Sequence, residues 1–296
     1  MRKLISLIAF IFLLFIASCA ETIDEKHSEP FRVMSFNIRY DNPDDGLNAW
    51  PYRSDFVAST IRFHRNDIIG IQEALLNQIQ DLDELLPEFA WTGVGRDDGR
   101  NGGEFCAIFY RKDRFELLEE GTFWLSETPE IPGSKSWDAA ITRIVSWGSF
   151  LDVQNNQSFI VFNTHYDHVG VQARIKSSDL ILQKINSLSN GKPVILLGDL
   201  NTIETEEPYK ILTKAHHDTA PILFDAYYHA TLGHHGPTST WNAFKEIEPN
   251  RRIDFIFIDA HFQVIQHGIL ADIREGRFPS DHLPVVADVF LIQEVL

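Results

Sequence analysis

Short apolar runs that end on a polar side chain recur along the chain. The clearest is Pro193 to Asn201, PVILLGDLN, in which Val194 to Leu197 predict a short buried strand. We expect Gly198 to turn the backbone, so that Asp199 and Asn201 lie just past the carboxyl end of this strand. Similar runs lead to polar residues elsewhere, at Asn37, Glu73, His165 and the pair Asp281 and His282. The pattern therefore predicts several strands whose ends carry chemically useful side chains.

Helical spacing of apolar residues separates these strands. It covers Arg53 to His64, Leu75 to Leu86, Arg174 to Leu188 and a shorter segment from Pro208 to Lys214. Strands outnumber helices, and short hairpins alternate with helical connections. This mixture favours an α/β (α+β) fold over a purely parallel sheet. We expect a four-layer sandwich, in which two packed mixed or antiparallel sheets carry helices on their outer faces.

The amino-terminal segment differs in composition from the rest. Arg2 and Lys3 precede an apolar run from Leu4 to Ala17, which is too short to span a bilayer and is typical of a secretory signal. The run leads into IASC, which resembles a bacterial lipobox and implies lipid attachment to Cys19 in the cell envelope, facing the periplasm or the outside. A buried amino-terminal helix is the alternative. We expect a lipoprotein signal peptide, a tether to the membrane and a single domain, over residues 1–18, 19–30 and 31–296.

The composition is acidic and poor in cysteine. The chain has 42 aspartates and glutamates against 26 lysines and arginines, a formal net charge of −16. Such a charge repels polyanions at long range, which argues against long DNA as a partner. If Cys19 is acylated, Cys106 is the remaining thiol, and we expect no intrachain disulfide. No feature of the sequence predicts an oligomeric state.

The polar residues at the strand ends have ordinary explanations when taken singly. Gly-Asp after a strand is a common turn, and Glu73 before Ala74 suits a helix start. Asp254 is harder to explain, because it lies within the apolar strand IDFIF, where a carboxylate is costly unless it is paired. A histidine is the partner that we expect. Taken together, these residues predict one site at the mouth of the sheets.

The order of six motifs resembles that of the endonuclease/exonuclease/phosphatase superfamily. The motifs are SFNIR (35–39), IQE (71–73), NTH (163–165), GDLN (198–201), RIDFIF (252–257) and SDH (280–282). The resemblance implies a metal-dependent phosphoric ester hydrolase in which Glu73, with Asn37 and Asp281, binds the divalent ion. Oxygen ligands of this kind favour Mg²⁺ or Mn²⁺ over zinc.

The resemblance also implies two imidazoles beside the scissile phosphate, those of His165 and His282. Glu104 matches the carboxylate that orients the first, and Asp254 matches the carboxylate that orients the second. An imidazole held by a carboxylate is fixed in its tautomer and made more basic.

Three further residues are implied to act on the water and the phosphate. Asp199 and Asn201 would position the water and hold a phosphoryl oxygen, and Arg143 would contact the phosphate. Phosphoryl transfer chiefly needs neutralised charge and a water held in line. We therefore expect in-line attack without a covalent enzyme intermediate, with Asp199 or a histidine as the base. Gly102-Gly103 stands where deoxyribonuclease-like members have an aromatic residue, which puts DNA-groove contacts there in doubt.

The loops are expected to select the substrate. We expect His168 and Trp137 to line the pocket, whereas Asp167 suits a pocket or a helix cap equally. The tryptophans in irregular segments would either stack on a sugar or base or pack in small cores, namely Trp50, Trp124, Trp137 and Trp241. His229, His234 and His235 lack metal-site spacing, and we expect them in solvated loops.

These features predict an enzyme acting on a small or exposed phosphodiester or phosphomonoester, such as a phosphosugar, a nucleotide or a lipid headgroup. One alternative is a nuclease acting on DNA or RNA. An alternative of another class is an inactive surface binding module with the same fold. Such a module would be expected to lose Glu73 or a site histidine, and the sequence retains them.

Overall fold

The computed structural model describes residues 29–214 and 222–292. The predicted signal peptide, Cys19 and most of the predicted tether lie outside these ranges, so the membrane anchor stays a prediction. Among the described residues, no helix has both the length and the apolar composition needed to cross a membrane.

The described residues form strands and helices close to the predicted ones. The strands are β1 (Phe31–Asn37), β2 (Ile68–Gln72), β3 (Phe89–Thr92), β4 (Ile108–Arg111), β5 (Phe115–Trp124), β6 (Ile144–Asp152), β7 (Gln157–His165), β8 (Val194–Asp199), β9 (Phe224–Asp225), β10 (His234–His235), β11 (Asp254–Ile258), β12 (Phe262–Ile269) and β13 (Val285–Leu291). The helices are α1 (Ser54–Phe63), α2 (Leu76–Leu85), α3 (Val171–Ser189), α4 (Glu207–Thr213) and α5 (Ala226–His229), with short 3₁₀ helices at Pro43–Asn48 and Trp50–Tyr52.

The strands of the described segments are arranged in two mixed sheets. The first has the order β10-β12-β13-β1-β2-β4-β3, and the second has the order β5-β6-β7-β8-β11-β9. Parallel pairs occur between β1 and β2, between β10 and β12, and between β7 and β8. The other neighbours are antiparallel.

Apolar packing arranges these elements in four layers. Val33 of the first sheet and Ile256 of the second lie in the core between the sheets. Ile61 of α1 packs with the outer face of the first sheet, and Leu212 of α4 packs with the outer face of the second. The predicted sandwich of two mixed sheets with outer helices is therefore confirmed.

Two local predictions are wrong. Gly198 does not turn the chain, because β8 continues through it and pairs it with Thr164 and Phe255 on the two neighbouring strands. A Cβ atom at Gly198 would lie 2.7 Å from the carbonyl oxygen of Thr164, so close strand approach explains the glycine. Trp124 does not lie in an irregular segment; it ends β5 and is buried.

The strand register gathers the polar strand ends. Asn37 ends β1, and its parallel neighbour β2 leads directly into Glu73. In the second sheet Asp199 lies between His165 of β7 and Asp254 of β11, each paired with it in register. The two sheets thus place these side chains at the same end of the sandwich, where Asn37 of the first sheet contacts Asp199 of the second.

A histidine pair joins β10 to β12. His234 Nδ1 lies 2.9 Å from His267 Nδ1, and His234 Nε2 lies 2.7 Å from the carbonyl oxygen of Pro237. Because Nε2–H of His234 donates to that carbonyl, its Nδ1 accepts the proton of His267 Nδ1. The ring of Tyr227 packs against both imidazoles. The expectation that His234 lies in a solvated loop is therefore wrong.

The buried His267 predicts a loss of stability in acid. Burial, together with the charges of His234 and Arg252, lowers the pKa of His267 to about 3. An unfolded histidine has a pKa of about 6.5, so between these values the unfolded chain binds the extra proton and the free energy of unfolding falls as the pH drops. We expect the wild type to lose about 2 kcal/mol more than His267→Gln between about pH 6.5 and 4.5. Urea unfolding at several pH values measures this difference, and parallel curves for the two proteins would contradict it.

Candidate functional site

Glu73 directly follows β2 and has a left-handed backbone conformation, with a φ of 65°. That conformation costs a non-glycine residue about 1–3 kcal/mol, and such strain often marks a functional position. The carboxylate is held from two sides, since Asn37 Nδ2 donates to Oε1 at 3.0 Å and the backbone N–H of Tyr40 donates to Oε2 at 3.2 Å. The fold therefore fixes this carboxylate in one direction.

Asn37 links the two sheets through its side-chain amide. Its Nδ2 lies 3.0 Å from Glu73 Oε1, 2.9 Å from Asp199 Oδ2 and 3.4 Å from His282 Nε2. Its Oδ1 accepts the backbone N–H of Arg39 at 3.0 Å. The nitrogen, rather than the oxygen, thus faces the carboxylates, and the predicted role of Asn37 as a metal ligand stays a prediction.

His282 and Asp254 form a buried pair. His282 Nδ1 lies 2.9 Å from Asp254 Oδ2, and both side chains are almost fully buried. Burial alone would lower the pKa of His282, but the charges of Asp254 and Asp199 raise it to about 10. The partner expected for Asp254 is present, and His282 is an imidazolium with its second N–H toward the site.

His165 and Asn201 form the second histidine contact. Asn201 Nδ2 lies 2.9 Å from His165 Nε2 and also donates to the carbonyl of Tyr166 at 3.1 Å. His165 Nε2 lies 3.4 Å from Asp199 Oδ2. Burial and the positive charge of Arg143 lower the pKa of His165 well below its usual value. His165 is therefore neutral, and Nε2 accepts from Asn201 while the proton is on Nδ1.

Glu104 does not contact His165, contrary to the expectation that it orients this imidazole. Its Oε2 accepts a hydrogen bond from Arg96 Nη1 at 2.5 Å and lies 3.7 Å from Arg143 Nη1. Nδ1 of His165 has no hydrogen-bond partner among the described residues. Burial and the charge of Glu73 raise the pKa of Glu104. The two guanidinium groups are nearer and bind an ionised carboxylate more strongly than a neutral imidazole does.

Arg143 directly precedes β6 and is buried, with an exposed fraction of 5%. Burial lowers its pKa. Nε and Nη1 have no hydrogen-bond partner within the described segments, and Nη2 lies 3.4 Å from His168 Nδ1. A buried guanidinium with unused N–H groups is a site for an anion, because unsatisfied buried donors are costly.

The carboxylates of the site fit a hard divalent cation. Ligand atoms of Glu73, Asp199 and His282 all lie within 4.8 Å of one another, and Asp281 lines the same cavity. His282 is protonated, so the carboxylate oxygens are the available ligands. Burial and the charge of Asp254 raise the pKa of Asp199 to about 7, and burial raises the pKa of Asp281 to about 6. A cation would relieve this crowding of negative charge, and Mg²⁺ commonly binds through one or two carboxylates with waters.

The side chains described above surround a cavity of about 530 Å³. Most of the predicted site residues line it, namely Glu73, Glu104, Arg143, His165, His168, Asp199, Asn201, Asp281 and His282. Asn37 and Asp254 lie behind this lining and contact it through Glu73, Asp199 and His282. Trp137 is not among the lining residues, so its predicted contact with substrate finds no support. Asp167 accepts backbone N–H groups of Val169 and Gly170 and acts as a turn cap.

Some lining residues were not predicted from the sequence. They are Arg39, Tyr40, Ile141, Arg251 and Ile253. Trp241, one of the tryptophans considered for stacking on a sugar or base, also lines the cavity. Trp241 packs edge-on against the ring of His282 at 4.7 Å, and Arg251 lies over Trp241 at 5.1 Å. Arg39, Arg251 and Ile253 adjoin or belong to the recognised motifs, which could have indicated them. Tyr40 likewise directly follows the motif SFNIR, whereas Ile141 lies outside the six motifs.

Comparison with known proteins places this site in a family context. The sequence model of the Endonuclease/Exonuclease/phosphatase family matches residues 34–282. A crystal structure of an endonuclease/exonuclease/phosphatase from Bacteroides vulgatus is 41% identical, with a TM-score of 0.85, and the match covers 89% of this chain and 100% of that one. A Bacteroides thetaiotaomicron mannosyl-6-phosphatase is 38% identical, with a TM-score of 0.82, over 88% of this chain and 100% of that one.

A curated relative of another kind is human Nocturnin. It is 23% identical over 301 residues, which cover 90% of this chain and 66% of Nocturnin. For the first curated relatives, the match spans between 32% and 66% of the relative's own length. The whole activity of these longer proteins therefore does not transfer to this chain.

Proposed function

Because the chain belongs to the endonuclease/exonuclease/phosphatase family, we propose that it is a Mg²⁺- or Mn²⁺-dependent phosphatase that hydrolyses phosphomonoesters of small sugars. One observation carries the proposal. The buried guanidinium of Arg143, with unused N–H groups, lies on the wall of a cavity that also contains the carboxylates of Glu73, Asp199 and Asp281. An anionic group bound with a cation would neutralise both walls at once.

The anion-binding wall is supplied by Arg143 and His282. The protonated Nε2 of His282 is available to donate to a phosphoryl oxygen, since its Nδ1 is engaged by Asp254. Arg143, which directly precedes β6, would donate to the same group. Each such donor is typically worth about 2.7–4 kcal/mol when it stabilises charge that develops in a transition state.

Asp199 and Asn201 hold the attacking water. Asp199 Oδ2 lies between two imidazoles, 3.4 Å from Nε2 of His165 and 3.7 Å from Nε2 of His282. A water bound there gives its proton to the Asp199 carboxylate as its oxygen bonds to phosphorus and the ester P–O bond breaks. The sugar oxygen leaves as the alcohol, with its proton taken from solvent, and Asn201 fixes His165 as a neutral acceptor. A divalent ion bound by Glu73 and Asp281 would supply further neutralisation of the phosphoryl charge.

The size and charge of the protein support a small substrate. A cavity of about 530 Å³ is in the range of ordinary small-molecule sites. The formal net charge of −16 opposes long polyanions. Among the similar solved proteins, the mannosyl-6-phosphatase supports a sugar phosphate as the substrate class. The name of Nocturnin identifies no substrate, and hydrolysis of RNA and DNA is therefore compared directly with that of sugar phosphates.

The activity is tested by measuring product release from a panel of esters. We expect phosphate release from hexose 6-phosphates to exceed hydrolysis of bis-p-nitrophenyl phosphate, an RNA oligonucleotide and plasmid DNA by at least about tenfold in kcat/KM, because a monoester offers the two walls three terminal oxygens and a second negative charge, whereas a diester offers two oxygens and one charge. EDTA is expected to abolish activity, and Mg²⁺ or Mn²⁺ to restore it better than Zn²⁺, because the available ligands are oxygens.

Two results would contradict this function. Faster hydrolysis of RNA or a phosphodiester than of every sugar phosphate would favour a nuclease or diesterase. Full activity after EDTA treatment would exclude a divalent ion from the reaction.

A further inference from the structure

The loop 95–103 is closed by its own backbone. The N–H of Gly95 donates to the carbonyl of Arg100 at 2.9 Å, and the N–H of Asp97 donates to the carbonyl of Gly102 at 3.0 Å. The side chain of Asp98 accepts the N–H groups of Arg100 and Gly102 at 2.8 and 2.9 Å. These bonds make the loop a rigid unit rather than a mobile lid.

Two further contacts fix the position of this loop. Gly103 has a φ of 79°, and a Cβ atom there would lie 2.6 Å from the carboxyl group of Asp97, so the chain turns tightly back toward Glu104. The indole N–H of Trp124 donates to the carbonyl oxygen of Arg96 at 2.6 Å. The main chain of Arg96 is therefore tied to the end of β5.

The side chain of Arg96 reaches the site through Glu104. Its Nη1 donates to Glu104 Oε2 at 2.5 Å, and its side chain is 13% exposed. Arg96 itself is not among the residues that line the cavity. On the other side of the same carboxylate oxygen, Arg143 Nη1 lies 3.7 Å away and makes no hydrogen bond to it. We call these three residues the Arg96–Glu104–Arg143 cluster.

The distances within this cluster indicate which arginine holds the carboxylate. A charge-assisted hydrogen bond normally has a length of about 2.7–2.9 Å, so Arg96 is bonded to Glu104 and Arg143 is not. Arg143 has no hydrogen bond to a carboxylate among the described residues. If Arg96 were removed, Arg143 would be the remaining cation beside Glu104 and would move to form the bond itself. Its N–H groups would then be directed away from the phosphate position.

We propose that Arg96 is a positioning residue, which occupies Glu104 so that the guanidinium of Arg143 stays free to bind the phosphoryl oxygens of the substrate. The inference rests on the proposed function, because it takes the ligand of Arg143 to be a phosphate group. It also assigns a role to the glycine-rich loop 95–103, which places the guanidinium of Arg96 against the carboxylate of Glu104. It also gives Glu104 a role that does not involve His165.

The primary test replaces Arg96 by glutamine and measures two quantities. We expect Arg96→Gln to lower kcat/KM for a sugar phosphate by a factor of about 10 to 100, the usual effect of losing one charged hydrogen bond. We expect inorganic phosphate, measured by calorimetry without turnover, to bind more weakly by a similar factor. Arg100→Gln is the matched control, because it removes the same charge from the exposed part of the same loop and is expected to change neither quantity.

A second substitution separates positioning from simple damage to the loop. Glu104→Gln removes the charge that would capture Arg143, so the double variant Arg96→Gln/Glu104→Gln is expected to recover at least half of the lost phosphate affinity in logarithmic terms. A loop that merely loses its shape would show no recovery. Thermal unfolding of all variants establishes whether each remains folded.

The possible outcomes distinguish a failure of the inference about Arg96 from a failure of the proposed function. If Arg96→Gln matches Arg100→Gln in both readouts, or if the double variant is as poor as Arg96→Gln, Arg96 does not position Arg143. If the wild type hydrolyses no ester but binds phosphate in an Arg96-dependent manner, the proposed function fails and the inference stands. If the wild type binds no phosphate, the inference is overturned.

Discussion

Replacing Glu73 by glutamine is expected to lower kcat/KM by a factor of about 10³ or more while leaving the protein folded. The substitution keeps the size of the side chain and removes its negative charge from the cluster of Glu73, Asp199 and Asp281. The neutral amide is a poor ligand for a hard divalent ion. Steady-state kinetics over a range of Mg²⁺ concentrations measure the loss.

The stability of the Glu73→Gln variant provides a readout besides activity. Without metal we expect it to be less stable than the wild type at neutral pH. Burial opposes the ionised form of Glu73, but the charge of His282 and the hydrogen bond from Asn37 lower its pKa, so the ionised carboxylate stabilises the folded protein. Excess Mg²⁺ is expected to stabilise the wild type by about 2.7 kcal/mol at a concentration 100 times its Kd, and to leave the variant unchanged. Glu84→Gln, on the exposed face of α2, is the matched control. An equal Mg²⁺ response in both variants would remove Glu73 from the metal site.

Replacing Asp254 by asparagine is expected to have the second large effect. The buried carboxylate lies 2.9 Å from His282 Nδ1 and keeps that imidazole charged and oriented. Asparagine cannot balance the charge, so we expect kcat to fall by a factor of about 10² to 10⁴, the range for the loss of a carboxylate that orients a histidine. We also expect the free energy of unfolding to fall by about 3–5 kcal/mol, because an uncompensated charge would be left buried.

The chain contains a matched control for this experiment. Asp259 is also buried, and its Oδ2 lies 3.0 Å from His261 Nδ1 at the other end of β11. Asp259→Asn removes a buried carboxylate from an aspartate–histidine pair whose histidine is largely exposed and which does not line the cavity. We expect it to reduce stability and to leave kcat unchanged. Equal losses of kcat in the two variants would mean that Asp254 acts through stability alone.

The sequence predicts many of the strands and helices because the patterns that indicate them are local. Short apolar runs indicated the strands that lead to Asn37, Glu73, His165 and Asp199 and the strand that contains Asp254, because burial acts on each strand separately. The helices α1 to α4 followed from their apolar spacing for the same reason. Gly198 was misread because a glycine in a turn and a glycine required by a close neighbouring strand look identical in one sequence.

The contacts of the candidate site also differ in whether the sequence could predict them. The need of a buried aspartate for a cation or a proton donor is a property of the residue itself, so a histidine partner for Asp254 could be anticipated. Which of several nearby partners a charged side chain contacts is not a property of that residue alone. Glu104 could have met His165 or an arginine, and its neighbours in the sequence do not distinguish them.

The sequence by itself determined the family, the layered arrangement of sheets and helices, and which strands end on polar groups. The tertiary structure alone decided that Arg96 holds Glu104, that Arg143 is left with unused donors, and that Trp241 packs on His282. The physical reason is the range of the forces involved. Burial and backbone preference are fixed within a few residues, whereas the selection among charged partners depends on differences of about an ångström between groups brought together from distant parts of the chain.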